Sequence, residues 1–133
     1  HYRSFPIAET QAAMNDATSL VVMMETVAAL ENVEEIIATE GVDMLLIGSN
    51  DLCGEMGIVG QYDHPKLEAA FQRCIAAANK VGKHVGIGGL AARDDLMAKY
   101  VKMGARYVST GTDLSFLMSA CASRAKFVNS LPT

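Results

Sequence analysis

The chain contains no Trp, only eight aromatic residues (four Phe and four Tyr), three Pro and three Cys. No low-complexity tract interrupts it, which argues against a disordered or fibrous chain. No apolar run is long enough to span a bilayer, so no transmembrane helix is expected. A basic segment followed by an apolar stretch and a cleavage site is also missing, which leaves secretion without support. Eleven Lys and Arg stand against fifteen Asp and Glu, a net charge of -4 with no basic cluster, so nucleic-acid binding is not expected. Cys53, Cys74 and Cys121 are odd in number, widely spaced and form no CxxC pair. A reduced, cytoplasmic setting fits that usage.

What is present is a half-apolar, one-fifth-charged chain of 133 residues, the composition of one globular domain or a piece of one. It begins with His1 and not Met, so sequence upstream is expected. Three places carry one punctuation: a helical stretch, a Gly able to take the left-handed conformation, then an apolar run rich in β-formers. They are Gly41 before residues 44–47, Gly82 before 84–87 and Gly104 before 106–108. A further strand over 19–25 (SLVVMME) precedes the first of them. This is the grammar of repeated αβ units, and near-continuously apolar strands suit a parallel sheet covered on both faces.

Apolar spacing of 3.6 residues predicts helices between the strands. In the first, Val27, Leu30, Val33 and Ile36 or Ile37 share a face while Glu31, Glu34 and Glu35 meet water. Others are expected over 65–81, with Pro65 suited to the first helical position, 93–103 and 113–127, and residues 6–15 end one more. Four βα units make half of a (β/α)8 barrel, which typically needs about 250 residues. The fold expected is therefore α/β, with parallel βα repeats forming the C-terminal half of a TIM barrel across residues 1–133. Such a half leaves its inner face and two edge strands uncovered, so the missing half or a partner chain is required. The structural rival, a doubly wound domain, lacks its early Gly-rich strand-to-helix turn.

In a parallel βα array, chemistry sits where strands end and loops begin. Glu25 closes the first strand and Asp51 lies just past the second, 26 positions on, one βαβ repeat later. Both carboxylates therefore reach one rim. Two carboxylates with room for waters suit an octahedral Mg2+ or Mn2+ that a chelating substrate completes. Equally, Glu25 and Asp51 suit caps, on the helix after Thr26 and on a short turn over 52–56.

Residues 24–36 (METVAALENVEEI), 41–52 (GVDMLLIGSNDL) and 104–113 (GARYVSTGTD) closely resemble the HpcH/HpaI aldolase family, the class II metal-dependent aldolases acting on pyruvate and 2-keto acids. The resemblance runs from Tyr2 to Lys126 and covers the C-terminal half of that family's barrel. It implies that Glu25 and Asp51 are the ligands of a divalent metal ion (Mg2+, Mn2+ or Co2+), and that Gly48, Ser49 and Asn50 bind substrate, the last two through backbone N–H groups donating to its carboxylate. It further implies reversible aldol cleavage of 4-hydroxy-2-keto acids to pyruvate or a related 2-keto acid and an aldehyde, in a homo-oligomer. Two departures stand out. Met23 occupies the position where the family usually has a substrate-contacting Gln. The family's Arg and His-containing base belong to the other half, so no catalytic acid or base is assigned here and the isolated half is expected to be inactive. The rival readings are a citrate-lyase-like CoA-ester lyase and a non-catalytic half-barrel.

Other residues carry blander readings. His84 begins a strand and so faces the opposite rim; His64 before Pro65 reads as a helix start or as a rim contact with substrate. Cys53 reads as a small buried group. Gly86, Gly88 and Gly89 read as close backbone packing at the mouth, or, with Ser109 to Thr112, as a phosphate site after the last strands. The eight Met residues read as core filler.

Overall fold

The computed structural model describes residues 6–132, so Tyr2 to Phe5, where the resemblance begins, lie outside the described residues. The elements run α1 (Ile7–Asp16), β1 (Val21–Met24), α2 (Val27–Glu31), α3 (Val33–Ala38), β2 (Met44–Gly48), α4 (Ser49–Glu55), α5 (Pro65–Lys80), β3 (His84–Gly88), α6 (Asp94–Met103), β4 (Tyr107–Val108) and α7 (Asp113–Asn129). All four strands are parallel and neighbour one another in chain order, β1-β2-β3-β4. A doubly wound sheet reverses its strand order partway; this one winds in a single direction, as a barrel does.

Register aligns Met24, Ile47, Ile87 and Val108 in one row and Val22, Leu45 and Val85 in another. Met24, Leu45, Ile47, Val85 and Ile87 are all buried beneath the helices. Their alternates are less covered, apart from Gly86 beneath the Leu46 and Tyr107 side chains: Met23 is 47% and Tyr107 48% exposed, and Val21 and Leu46 are half-buried. The continuous apolarity of the strands therefore serves two faces, one covered by helices and one left open as the concave interior of half a barrel. This alternation follows from the two-residue period of a strand.

The covering layer is built mainly by α5, which buries Leu67, Ala70, Phe71, Cys74, Ile75, Ala77 and Ala78 along one face. Phe71 stacks on Tyr100 of α6 with ring centroids 3.7 Å apart. His64 caps α5, its Nδ1 accepting from the Lys66 N–H at 3.1 Å, and Pro65 follows at the first position. Gly41, Gly82 and Gly104 all take positive φ between helix and strand, as their punctuation implied.

The first predicted helix is broken in two. Asn32 ends α2 with its Nδ2 donating to the Ala28 carbonyl at 2.8 Å, and α3 restarts behind it, turned so that Val33 and Ile37 are buried. Glu34 on the outer side accepts from Arg73 of α5 at 2.8 and 3.1 Å. Helices α1 and α7 bury no residue, and α7 exposes Leu114, Phe116, Leu117, Met118, Phe127 and Val128. Among the described residues no helix is long and apolar enough to cross a membrane.

Candidate metal and substrate site at the rim of the sheet

Glu25 follows the last residue of β1, and the pairing of Met24 with Ile47 sets it beside Gly48 at the end of β2. A Cβ on Gly48 would stand 3.2 Å from the Glu25 Cβ and 3.4 Å from its Oε2. The bare Gly48 backbone is thus the cradle over which the Glu25 carboxylate folds. It is not a helix cap: that role belongs to Thr26, whose hydroxyl accepts from the Ala29 N–H at 3.1 Å.

Past Gly48 the chain turns directly into α4, three residues earlier than the short turn expected over 52–56. Asp51 therefore lies in the first turn of α4 and not at its cap, where its negative charge complements the free N–H groups. Asp51 lines a cavity of about 210 Å³ on the open face, together with Met23, Gly48, Asn50, Gly89 and Ser109. So Glu25, Gly48, Asn50 and Asp51 gather at one rim, at or just past the ends of two adjacent strands. A larger hollow of about 460 Å³ runs along α1, lined by Glu9, Thr10, Ala13, Met14 and Ala17. It adjoins an unpacked helix, and among the described residues its one ionisable lining side chain is Glu9. The rim cavity is the chemically equipped one.

Ser49 is fully buried and its Oγ makes no hydrogen bond among the described residues. Asn50 is exposed, and its Oδ1 accepts from the Tyr62 hydroxyl at 2.6 Å. Tyr62 belongs to the loop between α4 and α5, whose next residue, Asp63, is gripped through both oxygens by Arg93 at 2.8 and 2.9 Å. Arg93 also holds Asp95 at 2.7 and 2.9 Å. The guanidinium keeps both carboxyls below the usual carboxylate range, Asp95 at about 2. Tyr62 and this clamp escaped the sequence reading. The available signal was opposite charge, Asp63 against Arg93, after two consecutive strands.

The residues set aside stay aside. His84 starts β3 at the far end of the sheet, and His64 is occupied as a cap. Cys53 is buried, and desolvation pushes its thiol pKa up, which makes it a poor nucleophile. Thr112 is engaged in the capping box of α7 with Ser115. Gly89 packs against Asn50, since a Cβ there would stand 3.2 Å from the Asn50 backbone N.

Among the described residues no three His, Cys, Asp or Glu side chains form a ready-made metal cluster. A pair of carboxylates beside an open cavity nevertheless fits Mg2+ or Mn2+, which keep several waters and need few protein ligands. The Gly48 cradle is the observation in favour of that fit.

A four-stranded parallel sheet that winds in one direction, with helices over one face, is half of a βα-barrel. The profile of the HpcH/HpaI aldolase/citrate lyase family matches residues 3–120, and the chain belongs to that family. It is 38% identical over 117 residues to a 4-hydroxy-2-oxo-heptane-1,7-dioate aldolase of Shigella flexneri, covering 87% of this chain and 43% of that protein. A 5-keto-4-deoxy-D-glucarate aldolase of Klebsiella pneumoniae is 38% identical over 109 residues, 82% of this chain and 42% of that one. The crystal structure of an HpcH/HpaI aldolase from Desulfitobacterium hafniense superposes with a TM-score of 0.82 at 30% identity, over 98% of this chain and 50% of the other. The chain thus spans less than half the length of these two curated relatives.

Proposed function

We propose that this chain supplies the metal-binding and substrate-binding rim of a metal-dependent carbon–carbon lyase. The reaction is reversible aldol cleavage of a 4-hydroxy-2-keto acid to pyruvate, or a related 2-keto acid, and an aldehyde. The observation that carries the proposal is the Glu25 carboxylate lying over bare Gly48, on the same rim as Asp51 and its cavity. The aldolase names of the relatives support the reaction class.

Glu25 and Asp51 are the residues that would hold Mg2+, Mn2+ or Co2+. Such an ion supplies Lewis-acid polarisation of a keto oxygen and stabilises the negative charge that C–C cleavage places there. The chain's own part is to bind and orient. The N–H groups of Ser49 and Asn50 at the start of α4 donate to the substrate carboxylate without adding a charge. Met23, an exposed thioether on the cavity wall, replaces an amide with an apolar contact. Water is excluded only when the open face is closed, so the other half of the barrel contributes the lid as well as the Arg and the His-containing base. Without it the chain turns nothing over. The uncovered faces of the sheet and of α7 suit a homo-oligomer in the cytoplasm, where the three thiols stay reduced.

The test is a Mn2+ titration of the complete barrel, following pyruvate release with Glu25→Gln and Asp51→Asn. Each loses turnover by about 10²-fold to 10³-fold and weakens Mn2+ binding. Two silent variants would sink the proposal.

A further inference from the structure

The rim cavity is lined by one acidic side chain, Asp51, and, among its lining residues, no Lys or Arg. A 2-keto acid brings a carboxylate of its own and needs donors that stand clear of Asp51. Asn50 lies on this wall, and its amide has two ends. The Oδ1 end accepts from the Tyr62 hydroxyl at 2.6 Å. The Nδ2 end donates to nothing among the described residues and lies against Gly89, where a Cβ would approach it to 3.2 Å. Gly89, with φ of +79°, leaves the room that keeps this amide at the cavity wall. Tyr62 is itself half-buried against the core, and its neighbour Asp63 is held by Arg93 from the next loop.

We propose that Tyr62 is a positioning residue: its hydroxyl fixes the Asn50 side chain so that Nδ2 serves as a neutral donor to an oxygen of the 2-keto acid. This rests on the aldolase reading for the nature of the substrate. The Tyr62 hydroxyl acts as a rotational lock. Without it the Asn50 amide flips between orientations, and only one of them offers a donor to the cavity. The cost falls on substrate binding and leaves the metal ligands untouched.

The experiment uses the complete barrel with Mn2+. It compares Tyr62→Phe, Asn50→Ala, their double variant and Asn50→Asp for kcat, KM, Mn2+ affinity and pyruvate affinity, the last from broadening of the pyruvate methyl resonance. Tyr62→Phe raises KM about fivefold to tenfold, the worth of one hydrogen bond, with kcat within about twofold and Mn2+ affinity unchanged. Asn50→Ala does at least as much, and the double variant is no worse than Asn50→Ala alone. Asn50→Asp keeps an acceptor for Tyr62 and hence the loop, yet binds pyruvate more weakly than Asn50→Ala because it turns a donor into a charge. Effects that multiply in the double variant, an unchanged KM in Tyr62→Phe, or wild-type pyruvate affinity in Asn50→Asp each overturn the proposal. The aldolase reading fails separately, through silent Glu25→Gln and Asp51→Asn variants, while the methyl broadening still reports the Tyr62 and Asn50 series.

Discussion

Gly48 shows how one missing side chain organises a site. Its φ of -80° is open to any residue, so Gly48→Ala costs the backbone little. The added methyl meets the Glu25 Cβ at 3.2 Å and displaces the carboxylate by a few tenths of an ångström. Mn2+ affinity in Gly48→Ala is expected to fall by about tenfold or more with the melting temperature nearly unchanged, as isothermal titration beside calorimetry will show. Arg93 makes a different residue-scale prediction. Its guanidinium holds the Asp95 carboxyl at about 2, below an unfolded value near 3.8, so the contribution to stability is full above about pH 4 and disappears as pH falls towards 2. Asp63 is depressed in the same direction by the same cation. Melting curves of wild type and Arg93→Ala should therefore differ at pH 6 and converge near pH 2. The difference should also shrink in high salt, because both carboxylates are solvent-exposed and Arg93 is half-exposed.

At the scale of elements, α7 is capped but not packed. Thr112 and Ser115 close a capping box on it, yet no residue of its 17 is buried. Thr112→Ala removes about 1 kcal/mol of local helix stability. Faster amide exchange confined to α7, with β2 and β3 unaffected, is the expected result; a drop in the main melting transition would show that α7 is packed onto the sheet in solution. The elements also show what a sequence makes legible. Strands β2, β3 and β4, the glycines before them and helices α5 and α6 could be read directly, because each is a local pattern of apolar period and left-handed Gly. That Glu25 and Asp51 reach one rim was legible from spacing, since one βαβ repeat fixes where successive strands end. The break at Asn32 was not found: Asn is tolerated within a helix, and only the burial of Val33 and Ile37 shows which side won. The early start of α4 was missed because Gly48 as N-cap offers no side chain to announce it. Tyr62 and Arg93 were missed because their partners, Asn50 in α4 and Asp63 in the loop before α5, are 12 and 30 residues away, separations that no helix or strand period links.

For the whole molecule, the decisive fact is the uncovered interior. Met23, Leu46 and Tyr107 face outward from a sheet whose other side buries Met24, Leu45, Ile47, Val85 and Ile87 under the helices. Each such side chain is worth about 1.5 to 3 kcal/mol when it is covered. This chain alone should bind the dye ANS strongly and sediment as aggregates or oligomers, and supplying the other half of the barrel should abolish both; a dye-silent, sharply melting monomer would contradict the open half-barrel. The two free edges of the sheet, β1 with four residues and β4 with two, are unequal seams. A longer seam offers more backbone donors and acceptors to an incoming parallel strand before its register can slip. Closure of the barrel would then proceed in an order, zipping at β1 first and sealing at β4 last, and the β4 seam would be where a completed barrel opens first when it comes apart.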